Sequence, residues 1–391
     1  MKTDWPIVPI WTVADETRRA IDPAELDGDV FHYSIPVVEE TGTGRVESAH
    51  DLGSAKLLLN GDEVLISKLN PRKGRVLIAK QHGELIVASP EFIALRPNDR
   101  IIDRFLAYLL ASETIRLHLD ANVQSVTRSH QRVTPELVRH LKFACPPLNE
   151  QQRIADFLDA ETARIDGLRA KRIAQISVLD QLELARIGEH LMSTEATGPV
   201  YAYFDVQLGK MLNAERASGD NQQPYLRHAN VHWYEIVTDD LATMTFEPGE
   251  WLRYSLRPGD LLVNEGGAGG TAEAAVWDGR IAPCFYQKSL HRVRARGPIP
   301  VEWLMYWLRY AKASGVFDAE SDRATIPHLT GEKLAESRIP IPDDGHQRVS
   351  VLAAEIAAIR ETQRKMEAAN AVLAERRQAL ITAAVTGGIT V

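Results

Sequence analysis

Two stretches of the chain carry apolar residues at helical spacing for far longer than the rest of it. From Asn149 to Met192 no proline occurs, and Ile154, Phe157, Leu158, Ile165, Leu168, Ile176, Leu179, Leu182, Ile187 and Leu191 recur with charged residues between them. Only one stripe of such a helix seeks burial. Pro146 and Pro147 stand before the run, Asn149 predicts an N-cap, and Gln152 three positions later completes a capping-box pattern. The 44 residues from Asn149 to Met192 predict one helix of roughly 65 Å, at about 1.5 Å per residue.

Residues 342–385 repeat the device. Pro342, Gln347, Arg348 and Val349 match Pro147, Gln152, Arg153 and Ile154 at a constant offset of 195 positions, and another proline-free amphipathic run follows. In this second copy Leu352, Ile359, Met366, Leu373 and Leu380 fall every seven residues, while the alternate seam Val349, Ile356, Gln363, Asn370, Arg377 turns polar. Two matched copies point to helices that pair with each other. The expected core of that pair is Ile154, Leu158, Ile165, Leu168, Ile176 and Leu179 against Leu352, Ile359, Met366, Leu373 and Leu380.

Shorter patterns fill the rest. In residues 1–145, Phe31 to Val38 and Glu63 to Ser67 predict strands, the second feeding the turn Asn70-Pro71-Arg72-Lys73-Gly74. Asp103 to His118 predicts one helix, and Ser125 to Arg132 a polar loop. Residues 198–341 follow the same plan. Gly259 to Asn264 matches Gly61 to Ile66 at an offset of 198, a glycine-rich loop from Glu265 to Thr271 replaces the Asn-Pro turn, Glu302 to Tyr310 predicts the equivalent helix, and Ser321 to His328 the equivalent polar loop. The expected order is an α+β domain (1–145), a long helix (146–197), a second α+β domain (198–341), and a second long helix with a tail (342–391). Different loops at one place of a repeated scaffold suggest two sites of different specificity.

Composition narrows the class. A chain of 391 residues exceeds what one core usually supports, and no apolar run approaches a membrane span. The N-terminus shows no signal-peptide core, and Cys145 and Cys284 stand apart outside any CxxC context, which predicts a reducing, cytoplasmic setting. The net charge of −8 excludes coating of nucleic acid by bulk charge but leaves room for local basic faces. Two basic stretches occur: Lys68, Arg72, Lys73, Arg75 and Lys80, and Lys288, His291, Arg292, Arg294 and Arg296.

Catalytic signatures are missing from the sequence. The loop Gly266 to Thr271 lacks the lysine of a phosphate-binding GxxxxGK(S/T) loop, and His228 and His232 lack the glutamate of HExxH. No lysine has an acid two positions before it, as PD-(D/E)xK nucleases require. Neither Cys145-Pro-Pro-Leu nor Asn70-Pro-Arg-Lys fits the Asn/Asp/Ser-Pro-Pro-aromatic tetrapeptide of amino-methylating DNA enzymes, and no GxSxG elbow occurs.

The segments Pro146 to Asp166 (PPLNEQQRIADFLDAETARID), Phe31 to Pro36 (FHYSIP), Pro224 to Val231 (PYLRHANV), Pro258 to Gly270 (PGDLLVNEGGAGG) and Arg376 to Ile389 (RRQALITAAVTGGI) resemble the specificity subunit of type I restriction-modification systems. The resemblance spans the whole chain. It implies two target-recognition domains, each reading half of a bipartite site in double-stranded DNA, held by an antiparallel pair of long helices. It further implies two methyltransferase (modification) subunits docked on those helices, and ATP-dependent restriction subunits. Catalysis would lie in these partners, with S-adenosylmethionine and ATP on them and no cofactor or metal on this chain. One departure is the second helix start, Asp343-Asp344-Gly345-His346, where the first copy has Leu148-Asn149-Glu150-Gln151.

DNA affinity comes from Lys and Arg on phosphates, and sequence is read by donors and acceptors at base edges. The first-domain candidates are therefore Lys68, Asn70, Arg72, Lys73 and Arg75 on the strand-turn, with Arg128, Ser129, His130 and Gln131 on the polar loop. In the second domain they are Asn264, Glu265, Gly269, Gly270, Thr271, Lys288, Arg323 and Thr325. A different class also accommodates the acidic composition: a coiled-coil adaptor with two protein-binding modules and no DNA role.

Overall fold

The structure is a computed structural model that describes residues 5–123, 131–212, 217–266, 270–317 and 328–391. The chain forms two compact α+β units, one of Met1–Arg172 with Glu367–Val391, the other of Ile173–Met366. Each long helix therefore contributes half of its length to each unit.

In the first unit a four-stranded antiparallel sheet has the order Ala14–Thr17, Phe92–Pro97, Val64–Ser67, Val76–Ile78. The second unit repeats it strand for strand: Phe204–Leu208, Leu290–Ala295, Leu261–Asn264, Ala274–Val276. Both units add a two-stranded sheet, Ile7–Pro9 with Lys142–Ala144 in one and Thr197–Pro199 with Arg338–Pro340 in the other. Each also has a further sheet built on one parallel pair, Val30–Tyr33 with Leu85–Ala88 and Tyr225–Leu226 with Phe285–Tyr286.

Strand alternation explains the layering. Val64, Ile66, Ile93 and Leu95 point to a core shared with Phe105, Leu106, Leu109 and Leu110, while Leu65, Phe92 and Ala94 join Tyr33 and Ile86 on the other face. Buried on both faces, the central strand is an unbroken apolar run. In the second unit Leu261, Val263 and Val293 pack with Trp303, Leu304 and Leu308, and Leu262 and Leu290 with Leu226 and Tyr286.

Three local expectations need correction. The strand within Phe31 to Val38 ends at Tyr33, and Ile35–Thr41 is a helix whose first turn is capped by Ser34 Oγ accepting from Val37 N at 3.3 Å. Pro36 fits that first turn, where its missing N–H costs no hydrogen bond. The helix expected over Asp103 to His118 is two, Asp103–Ala111 and Glu113–Ala121, because Ser112 is extended (ψ 150°) and its hydroxyl donates to Leu109 O at 2.6 Å. Asn149 is not an N-cap: the first long helix is Leu148–Met192, and Pro147 O accepts from Glu150 N and Gln151 N at 2.9 and 3.0 Å. Gln152 donates to Asp156 at 2.8 Å instead of capping. Its neighbour Gln151, fully buried, accepts from Ile102 N at 2.8 Å and donates to Arg100 O and Pro146 O, fixing the helix start in the first unit. At the start of the second long helix, Gly345–Val385, His346 is exposed.

Within each unit the two long helices run antiparallel. In the first, Ile154 and Leu158 share a core with Ile381, and Asp166 pairs with Arg377 at 3.1 Å. In the second, Asp180 accepts from Gln363 at 2.8 Å and His190 O from Arg348 at 3.3 Å. Ile154, Leu158, Ile165, Leu352 and Ile359 are buried, and Ile176, Leu179, Met366, Leu373 and Leu380 are partly buried. Leu168 departs from expectation at 42% exposed. Three residues place it about 300° around the helix from Ile165, so with one partner helix the seam covers Ile165 and not Leu168. The polar seam is not solvated throughout either, since Gln363 is buried. No described helix is long and apolar enough to cross a membrane.

Candidate nucleic-acid interface

In the first unit the strand Val64–Ser67 runs into a turn whose shape its sequence dictates. Asn70 (φ 49°) and Gly74 (φ 60°) take left-handed backbone, which those residue types tolerate best, and Pro71–Lys73 form one 3-10 turn between them. The chain after the polar loop returns to this turn: Leu69 bridges Arg132, Asn70 N donates to Gln131 O at 2.8 Å, and Val133 N donates to Lys68 O at 3.1 Å. Lys68 N donates to Glu91 O at 2.8 Å on the other side. The turn and the described end of the polar loop, Gln131 and Arg132, are thus joined by main-chain bonds that do not depend on side-chain identity.

The second unit builds the same arrangement. Leu329 N, just past the second polar loop, donates to Glu265 O at 2.7 Å, and Glu265 N donates to Ser289 O at 3.0 Å. A Cβ on Gly266 would stand 2.5 Å from His328 Nδ1, so a side chain there would have to displace that ring. His291, fully buried, bonds Leu329 O through Nε2 at 2.8 Å, and burial lowers its affinity for a proton.

The candidate side chains divide by exposure. Arg72, Lys73 and Lys288 are exposed, and Lys68, Asn70, Gln131, Glu265 and Gly270 are half-buried. Lys73 pairs with Glu39 at 2.6 Å. Arg75 is only 7% exposed and is committed inward, to Leu69 O and Glu39, each at 2.9 Å. Hydrogen bonds from Lys73 and Arg75 hold the Glu39 carboxyl below the usual range. Asn264 and Thr271 are buried, and Asn264 donates its amide to Val231 O at 3.0 Å. Arg75 and Asn264 hold the scaffold rather than present a free group. Arg128, Ser129, His130, Gly269, Arg323 and Thr325 lie outside the described residues.

The basic run from Lys288 to Arg296 is not the open cationic face its sequence suggests. Arg292 pairs with Asp205 at 3.2 Å and bonds Gln207 at 2.8 Å, Arg294 bonds Asp260 at 2.7 Å, and Arg296 bonds Asp205 at 3.0 Å. The neutralising acids come from distant parts of the sequence. Conversely, the fold carries Arg116 and Arg377 to the Arg72–Gly74 turn. Nothing local marks them, since Arg116 with Glu113 reads as an ordinary helix-surface pair. Burial raises both thiols, Cys284 to about 12, so neither is a ready nucleophile. Among the described residues no three His, Cys, Asp or Glu side chains group as a metal site.

Comparison with known proteins shows what the chain is similar to. Residues 33–178 match the model of the type I restriction modification DNA specificity domain. That part of the chain is similar to type I specificity subunits. The chain is 24% identical over 188 residues to the protein named as the type I restriction enzyme MjaX specificity subunit of Methanocaldococcus jannaschii, covering 46% of this chain and 43% of that one. The chain thus spans less than half the length of this curated relative. A chain from a structure of the type I R-M system, described for its complex assembly and conformational transition, superposes with a TM-score of 0.73 at 18% identity over 98% of both chains. The HsdS subunit from Thermoanaerobacter tengcongensis superposes at 0.50, with 19% identity, over 100% of this chain and 98% of that one. At these identities the two structures speak for the fold: two α+β units and paired long helices.

Proposed function

We propose that this chain is the non-catalytic DNA-recognition subunit of a type I restriction-modification complex, each α+β unit reading one half of a bipartite site in double-stranded DNA. The long helices set the spacer between half-sites and dock two modification subunits, with S-adenosylmethionine on those and ATP on restriction subunits. The setting is the cytoplasm. One observation carries the reading: the bond from Val133 N to Lys68 O recurs as that from Leu329 N to Glu265 O, so one scaffold presents two loop surfaces with different side chains. A duplicated frame with unlike loops suits recognition of two unlike sequences.

The candidate contacts are Lys68, Asn70, Arg72, Lys73 and Gln131 with Arg128, Ser129 and His130 in the first unit. In the second they are Glu265, Gly270 and Lys288 with Gly269, Arg323 and Thr325. Arg75, Asn264 and Thr271 support the loops from inside. Methylome sequencing of a host with and without this chain tests the function. A bipartite methylated motif should vanish when the chain is deleted, and half of it should change when residues 198–341 are exchanged for those of a relative. An unchanged methylome on deletion refutes the proposal and leaves the adaptor.

A further inference from the structure

A groove of about 330 Å³ in the first unit has an unusual wall for so acidic a chain. It is lined by Arg72, Lys73, Arg116 and Arg377 together with neutral residues, Tyr108 and Gln378 among them, and among the described residues no carboxylate lines it. Three different parts of the sequence supply these cations: the turn after the central strand, the helix Glu113–Ala121, and the C-terminal half of the second long helix. Two of them are held from behind. Arg116 bonds Glu113 at 3.1 Å and Arg72 O at 3.2 Å, and Arg377 pairs with Asp166 at 3.1 Å. Both guanidinium groups remain about one-third exposed, so they are positioned and still accessible. A Cβ on Gly74 would come within 3.3 Å of Arg116 Cδ, which shows how closely the turn approaches that side chain.

Concave walls of one charge concentrate the potential, and guanidinium groups match phosphate oxygens in geometry as well as charge. The groove is continuous with the Asn70–Gly74 turn of the candidate interface. The geometry points to a seat for the phosphodiester backbone of DNA, with Arg116 and Arg377 as phosphate contacts. This rests on the DNA-recognition reading and adds that the long helix itself contributes to DNA affinity. The contribution is one-sided: at the offset of 195 the position that matches Arg377 is Leu182, which carries no cation.

The test uses the full chain assembled with its modification subunits, and duplexes carrying either the methylated motif or a scrambled sequence. Arg116→Gln with Arg377→Gln should weaken both duplexes by the same factor and reduce the salt slope of log affinity by about 0.9 per contact, close to 2 in all. Lys73→Gln, at a surface position that does not threaten folding, should reduce it by about 1. A wild-type complex without salt-dependent binding would sink the DNA reading itself. A normal wild-type slope that neither variant lowers would overturn only the groove. Tight binding of inorganic pyrophosphate lost in the variants, with the DNA slope intact, would also overturn it, by assigning the groove to a free polyphosphate.

Discussion

Gln363 donates its side-chain amide to the Asp180 carboxylate at 2.8 Å, from a buried position in the seam of the helix pair. Asp180 is exposed, so its carboxylate keeps water when that partner is removed. A buried polar residue between paired helices fixes register at a cost in stability. Gln363→Leu is therefore expected to stabilise the protein by about 1 kcal/mol, since position 363 is buried and no buried charge is orphaned. Urea unfolding measures it, and destabilisation would show that the amide bond holds the helices together.

Glu183 carries the opposite balance. Its carboxylate is fully buried, accepting from Tyr234 OH and from Arg309 Nε, each at 2.9 Å. Burial, with the adjacent carboxylate, pushes the Tyr234 hydroxyl far above its usual range, so it stays a donor. Arg309→Met should cost up to about 3–5 kcal/mol by removing the hydrogen-bonded cation of a buried carboxylate, which keeps only Tyr234 and, at 4.0 Å, Arg360. Adding Glu183→Gln should recover part of that loss. If the double variant is as unstable as the sum of the two single ones, the charges are not coupled.

Arg75 and Lys73 are neighbours in a basic run with different expected roles. Arg75→Ala removes its bonds to Leu69 O and to Glu39 and should cost about 1–3 kcal/mol. Lys73→Ala, on a solvent-exposed pair, should stay within about 0.5 kcal/mol. Equal unfolding midpoints for the two variants would contradict this division.

Protonation of His291 should loosen the second site. Burial lowers its pKa in the folded protein below the ordinary value of about 6.5. Stability from the neutral ring is therefore complete above that value and is lost as the pH falls through the folded one. Melting temperature should drop between about pH 7 and 5 more steeply in the wild type than in His291→Gln, whose amide can still donate to Leu329 O. Parallel curves would show that His291 does not titrate with folding.

Much of the architecture was already written along the chain. The proline-flanked helix starts, the offset of 195 and the apolar runs around Leu65 and Leu262 are local patterns whose periods fix which face is buried. They determine the duplication, the α+β units and the long helices without knowledge of any contact. Tertiary structure decided whatever depends on residues far apart in sequence. Asp205 and Asp260 neutralise the run at Arg292 to Arg296, Glu39 draws Arg75 inward, and Arg377 reaches the turn at Arg72 only because the helices run antiparallel. A sequence lists charges in order along one chain, whereas the field at a site is set by distance in space, which only the fold assigns.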